Sequence, residues 1–161
     1  MNDFHVTYDL VRGRLIDAVK DLNDEQLKWR LHPASPSICE MVLHVCGVEM
    51  SFAYQLLRAK PDDEFDKRIT SCARDGIVND NPYPFGEHEQ GAELMNRILE
   101  RSFAVVGPVI ELASDSVRAT QIESALGPMI DGNGAFARIA YHPGYHTGQI
   151  WTYRFHPDFP Q

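Results

Sequence analysis

Only three of the 161 residues are cysteine, Cys39, Cys46 and Cys72, and no two of them are spaced Cys-x-x-Cys. An odd, scattered set of this kind excludes a disulfide framework and a thiolate zinc knuckle, and the three are expected to be buried small apolar residues. Long hydrophobic runs are missing too. No apolar stretch approaches the roughly 20 residues of a membrane span, and the N-terminal Met-Asn-Asp-Phe-His lacks the basic start and apolar core of a signal peptide. A cytoplasmic protein without membrane association is therefore expected. Positive charge is in deficit, with 15 Lys and Arg against 23 Asp and Glu, a formal net charge of −8. Such a chain is repelled by phosphate backbones and anionic membranes, which argues against nucleic acid as a partner. No internal repeat or low-complexity segment is found.

What is present is the balance of an ordinary globular protein, 43 % hydrophobic and 24 % charged, and the length suits one domain over residues 1–161. Phe4, Tyr8, Val11, Leu15, Val19 and Leu22 fall at steps of three and four, one stripe of a first helix. Asn23-Asp24-Glu25 breaks that stripe, and the prolines of Leu31 to Pro36 mark a loop. Ser37-Ile38-Cys39-Glu40 has capping-box spacing and opens a second helix, with Ile38, Met41, Val42, Val45, Val48, Phe52 and Leu56 on its apolar side. Lys60-Pro61 stops it.

Residues 62–87 read as a long irregular connection, either functional or the crossover a bundle needs. A third helix carries Leu94, Ile98, Leu99, Phe103, Val106, Val109 and Ile110 from about Glu87 onward, with a bend expected at Gly107-Pro108. Residues 113–133 form a second irregular linker. The fourth helix starts near Gly134 and sets Ile139, His142, Pro143, His146, Ile150 and Tyr153 on one face. With no alternating strand pattern, four amphipathic helices predict an all-α four-helix bundle.

Seven histidines are present. His142 and His146, four apart, lie on one helical face, where two imidazoles can share one metal ion. His44 sits at the edge of the apolar face of the second helix, pointing inward. If helices two and four are neighbours, three neutral imidazoles converge and leave coordination positions open. The same spacing is equally that of core histidines bonded to backbone carbonyls, and it does not separate the two readings. Pro143 predicts a kink or a π-bulge beside His142. Glu40, one turn before His44, and Gln149, three residues after His146, are candidates for orienting the imidazoles, with a helix cap and ordinary bundle hydrogen bonding as their plainer roles. His5, His32, His88 and His156 read as surface residues.

The stretch Asp24-Glu25-Gln26-Leu27-Lys28-Trp29-Arg30, then Ser37-Ile38-Cys39-Glu40 and His44, resembles the first two helices of the DinB/YfiT-like metalloenzymes. His142-Pro143-Gly144-Tyr145-His146-Thr147-Gly148-Gln149-Ile150 resembles the "H-x-x-x-H-x-G-Q-I" segment of the same family. The chain departs from the pattern at Ser35-Pro36, where a tryptophan is common, and at Thr147, where an arginine is. The resemblance implies a four-helix bundle, a homodimer, and a divalent ion on His44, His142 and His146, nickel or zinc first, with iron, copper and manganese also compatible. It also implies an enzyme that transfers a low-molecular-weight thiol to a small-molecule substrate. Hydrolysis by a metal hydroxide is the alternative, disfavoured by the lack of a helper base such as the Glu of His-Glu-x-x-His. A metal-binding or stress-response module without turnover is the third reading.

Overall fold

The computed structural model describes residues 3–161. Its helices are α1 (Asp3–Val19), α2 (Asp24–Lys28), α3 (Ile38–Leu56), α4 (Glu64–Ser71), α5 (Ala92–Glu111), α6 (Asp115–Arg118) and α7 (Gly132–Arg154), with two short strands, β1 (Ile122–Glu123) and β2 (Met129–Ile130), between α6 and α7. The four long helices close a ring in which α1 lies along α7, α7 and α5 flank α3, and α5 touches α1. This is the expected all-α bundle. Among the described residues no helix is long and apolar enough to cross a membrane.

α3 departs from its predicted amphipathic character. Every residue from Ile38 to Met50 is buried, polar ones included, because α2, α4, α5 and α7 all pack around it. Its start follows the capping box: Ser37 Oγ accepts from the Glu40 amide at 3.1 Å, and the Glu40 carboxylate accepts from the Ser37 amide at 2.8 Å. Deeper in, Glu49 Oε2 accepts from Arg12 at 2.9 Å, Ser102 at 2.8 Å and Tyr8 at 3.3 Å, and Arg12 also donates to the Leu99 carbonyl. One carboxylate thereby ties α1, α3 and α5 together in a region without solvent.

The segments between the long helices carry more structure than expected. Asn23-Asp24-Glu25 starts a helix, because Asn23 and Gln26 form a reciprocal capping box. Trp29 then packs edge-on against Tyr153 and Phe159, at 5.5 and 5.4 Å between ring centroids, so the Asp24–Arg30 motif seals the far end of α7. The connection over residues 62–87 contains α4, capped by Asp63 and pinned by Asp66, which accepts two bonds from Arg101 at 2.7 and 2.6 Å and one from Tyr54. The second linker holds α6 and the hairpin, in which Ile122 pairs with Ile130 and Glu123 with Met129. The Gln55 side chain exchanges hydrogen bonds with the Glu123 backbone at 3.1 and 3.3 Å, anchoring the hairpin to the end of α3.

Neither internal proline interrupts its helix. α5 continues through Pro108 to Glu111, and α7 is α-helical from Gly132 to Arg154 with no π-turn at Pro143. Pro143 withholds one donor from the Ile139 carbonyl, while Thr147 Oγ1 donates to the Pro143 carbonyl at 2.7 Å. His142 keeps the helical register.

Candidate metal centre

α7 presents His142 and His146 one turn apart, their ring centroids separated by 4.6 Å and their Nε2 atoms by 3.0 Å. From across the bundle α3 presents His44, whose ring lies 4.9 Å from that of His142 and 5.3 Å from that of His146. One potential ligand atom from each histidine lies within 4.8 Å of the other two. His44 Nδ1 is 3.0 Å from the Cys72 carbonyl. A carbonyl only accepts, so Nδ1 carries the proton and Nε2 is left with its lone pair free, the arrangement that orients metal-binding imidazoles. Nδ1 of His142 and of His146 is buried without such a partner.

Gly47 determines where the Cys72 carbonyl sits. A Cβ at position 47 would lie 2.6 Å from both the Ala73 amide nitrogen and the Ile69 carbonyl oxygen, and 2.8 Å from the Cys72 carbonyl carbon. Only a residue without a side chain lets the end of α4 come this close to α3, and that approach delivers the carbonyl to His44 one turn away. Gly47→Ala is expected to cost about 1–3 kcal/mol in urea denaturation through overpacking. It should also weaken metal affinity about 10- to 100-fold, as loss of an orienting partner does. Titration of the variant with Zn²⁺ at wild-type affinity would show that the carbonyl does not position His44.

Burial is the main cause that disfavours charge on all three rings. It pushes His44 below the ordinary imidazole value, and together with the neighbouring imidazoles it pushes His142 down to about 3 and His146 down to about 4. The rings are neutral at physiological pH and ready to donate lone pairs. Two bare nitrogens at 3.0 Å repel unless a proton or a cation lies between them. Metal–imidazole bonds of about 2.0–2.1 Å place neighbouring ligand atoms about 3 Å apart, so this pair fits a shared ion. The three histidines could therefore hold a divalent metal ion.

The remaining side of the triad opens into a cavity of about 710 Å³. Val48 and Phe52 of α3, Ile77, Val78 and the hairpin's Leu126 give it an apolar wall, and Tyr141, Tyr145 and Gln149 form its rim on α7. Gln149 Nε2 donates to the Tyr145 hydroxyl at 3.2 Å. Glu40 does not reach the cavity, because its two oxygens are engaged by Arg30, at 2.5 and 2.6 Å, and by the Ser37 amide. The orienting contact to His44 comes instead from the Cys72 backbone, which leaves no signature in a side-chain pattern. His5, His32, His88 and His156 do not join the triad: His32 and His88 are exposed, His5 pairs with Asp9 at 3.3 Å, and His156 stacks near Trp29. All three cysteines are free and buried, and burial pushes the Cys39 and Cys46 thiols up to about 12.

No curated protein matches the chain, and no solved structure does. The sequence profile of the DinB superfamily matches residues 7–150, a span that starts within α1, crosses the bundle and takes in the buried His44 and His146 and the half-buried His142. The chain belongs to the DinB superfamily.

Proposed function

We propose that the chain is a metal-dependent transferase that uses a low-molecular-weight thiol, with zinc or nickel held by His44, His142 and His146. The observation that carries this reading is the neutral, all-nitrogen triad, two of its rings buried and His142 half-buried, at the floor of an open apolar cavity. Three imidazoles suit borderline divalent ions. When bound, such an ion supplies a Lewis acid that lowers the pKa of a coordinated thiol or water. Among the described residues no Asp or Glu lines the cavity, so no carboxylate beside the triad would assist water attack. A thiol starts from a pKa of about 8.5, far below that of water, so it would reach the anion more readily, its proton passing to solvent. The apolar wall excludes water and holds the body of an electrophilic substrate against the triad.

The test uses protein purified without a histidine tag, loaded with Zn²⁺ or Ni²⁺ and offered bacillithiol, mycothiol or glutathione with an electrophile, alongside ester and amide substrates. Thiol-dependent consumption of the electrophile that vanishes in the metal-free protein is expected. Hydrolysis without thiol would replace the reading with a metal-dependent hydrolase. Stoichiometric metal with no turnover in any arm would replace it with a binding module.

A further inference from the structure

Arg138 lines the cavity wall, and among the described residues it has no hydrogen-bond or ion-pair partner. It lies one turn before His142 and two before His146 on α7, so the three side chains form one ridge, spaced about 6 Å per step along the helix axis. Its Nη1 atom is buried and makes no hydrogen bond. The other guanidinium groups closest to the core are engaged, Arg12 by Glu49, Arg30 by Glu40, Arg101 by Asp66 and Arg154 by Asp21. In a chain of net charge −8 an arginine facing an acid-free cavity is out of keeping with its surroundings. A guanidinium held with one nitrogen buried and unpaired is costly, and an acid that pairs the part of the group lining the cavity offsets some of that cost.

We infer that Arg138 is the carboxylate-binding residue of this cavity, so that its ligand is a small organic acid with an apolar body. The acid group lies about one helical turn from the atom that meets the histidines. The body rests on Val48, Phe52, Ile77 and Leu126. A single guanidinium balances the single charge of a carboxylate, whereas a phosphate dianion would call for a second cationic side chain, and among the described residues no other Arg or Lys lines the cavity. The inference rests on the reading above for taking this cavity as the substrate site, and it names a chemical class for the substrate that the metal alone does not.

The probes are 4-phenylbutyrate and its neutral amide, of equal length and shape, titrated calorimetrically into metal-free and Zn²⁺-loaded protein. The metal-free arm decides, because there a carboxylate cannot bind an ion. Wild-type protein is expected to favour the acid at least about 10-fold over the amide in both arms. Arg138→Gln should bring that preference below about 3-fold, and Arg138→Lys, keeping the charge without the fork, should retain part of it. Zn²⁺ stoichiometry of both variants should stay at the wild-type value, which also reports that they are folded. Equal binding of acid and amide by metal-free wild type, binding of neither, or a preference that survives Arg138→Gln would each overturn the assignment. Discrimination that is intact in protein unable to take up Zn²⁺ would overturn the metal reading and leave the role of Arg138 standing.

Discussion

His146→Ala protein will show no thermal stabilisation by Zn²⁺ or Ni²⁺, whereas the wild type will gain about 4 kcal/mol at a metal concentration a thousandfold above Kd. For a chain of this length that corresponds to a rise in Tm of roughly 8–16 °C. The triad has no spare ligand, since no further His, Cys, Asp or Glu joins the cluster among the described residues, so two imidazoles remain and the site loses a third of its bonds. His44→Ala and His142→Ala should behave alike. The metal-free variants should keep wild-type helicity, because the ring of helices is held by the core and by the Glu49 network, remote from the histidines. Metal analysis by mass spectrometry gives the complementary readout. A full metal complement in all three variants would mean that these histidines are core residues and nothing more.

Glu49→Ala is expected to be the most destabilising single change outside the apolar core, costing about 3–5 kcal/mol in urea unfolding. Arg12 is 3 % exposed and Glu49 fully buried, so removal of the carboxylate leaves a nearly buried guanidinium with only the Leu99 carbonyl and the Tyr8 hydroxyl as partners. Ser102 and Tyr8 lose their acceptor at the same time. Against a typical total of about 5–15 kcal/mol this is a large fraction of the stability. The Arg12→Met/Glu49→Met double variant should lose far less, because both charges leave together and the methylenes refill the space. A single variant that costs less than about 1 kcal/mol would mean that the charges are solvated by routes absent from this structure.

Both networks run through α3, His44 in one and Glu49 in the other, and the sequence showed one of them better than the other. His44, His142 and His146 stand out because helical spacing aligns two of them and puts the third on an apolar edge, a pattern that backbone geometry alone enforces. The four long helices were legible for the same reason, as was the Ser37–Glu40 cap. Glu49 was within reach of the same spacing, since Val42, Val45, Phe52 and Leu56 lie seven and four residues before it and three and seven after, which places it on the apolar stripe. The stripe was read from its apolar members, and the partners Arg12, Tyr8 and Ser102 that hold a carboxylate there come from α1 and α5. α4 escaped notice for a related reason: eight residues with two apolar anchors, Phe65 and Ile69, give too short a stripe, and its position depends on Arg101 and Tyr54 from distant segments. The two-residue strands are below any detectable alternation. Pro143 gave a different lesson, since local rules predicted a kink or a π-bulge and α7 runs through it without the π-turn, with Thr147 occupied in bonding the proline carbonyl. Arg138 was readable as the residue four before His142, but its importance lies in what fails to surround it, and absence of a partner is a property of three dimensions.

The β1–β2 hairpin gives the cavity walls of unequal permanence. Ser124, Ala125 and Leu126, in the turn that connects the strands, line the opening, and the strands are joined through two residue pairs, with the Gln55 hydrogen bonds and the core-buried Ile122 as their anchors. With so few ladder pairs the turn can open by local fluctuation at less cost than α3 and α7, which yield only when the bundle unfolds. The residence time of any ligand that the cavity takes up is then expected to follow the hairpin, and equilibrium stability the buried charges. A change that weakens the bundle at Glu49 leaves the rate of ligand escape untouched, and one at Gln55 alters that rate with little cost to the fold.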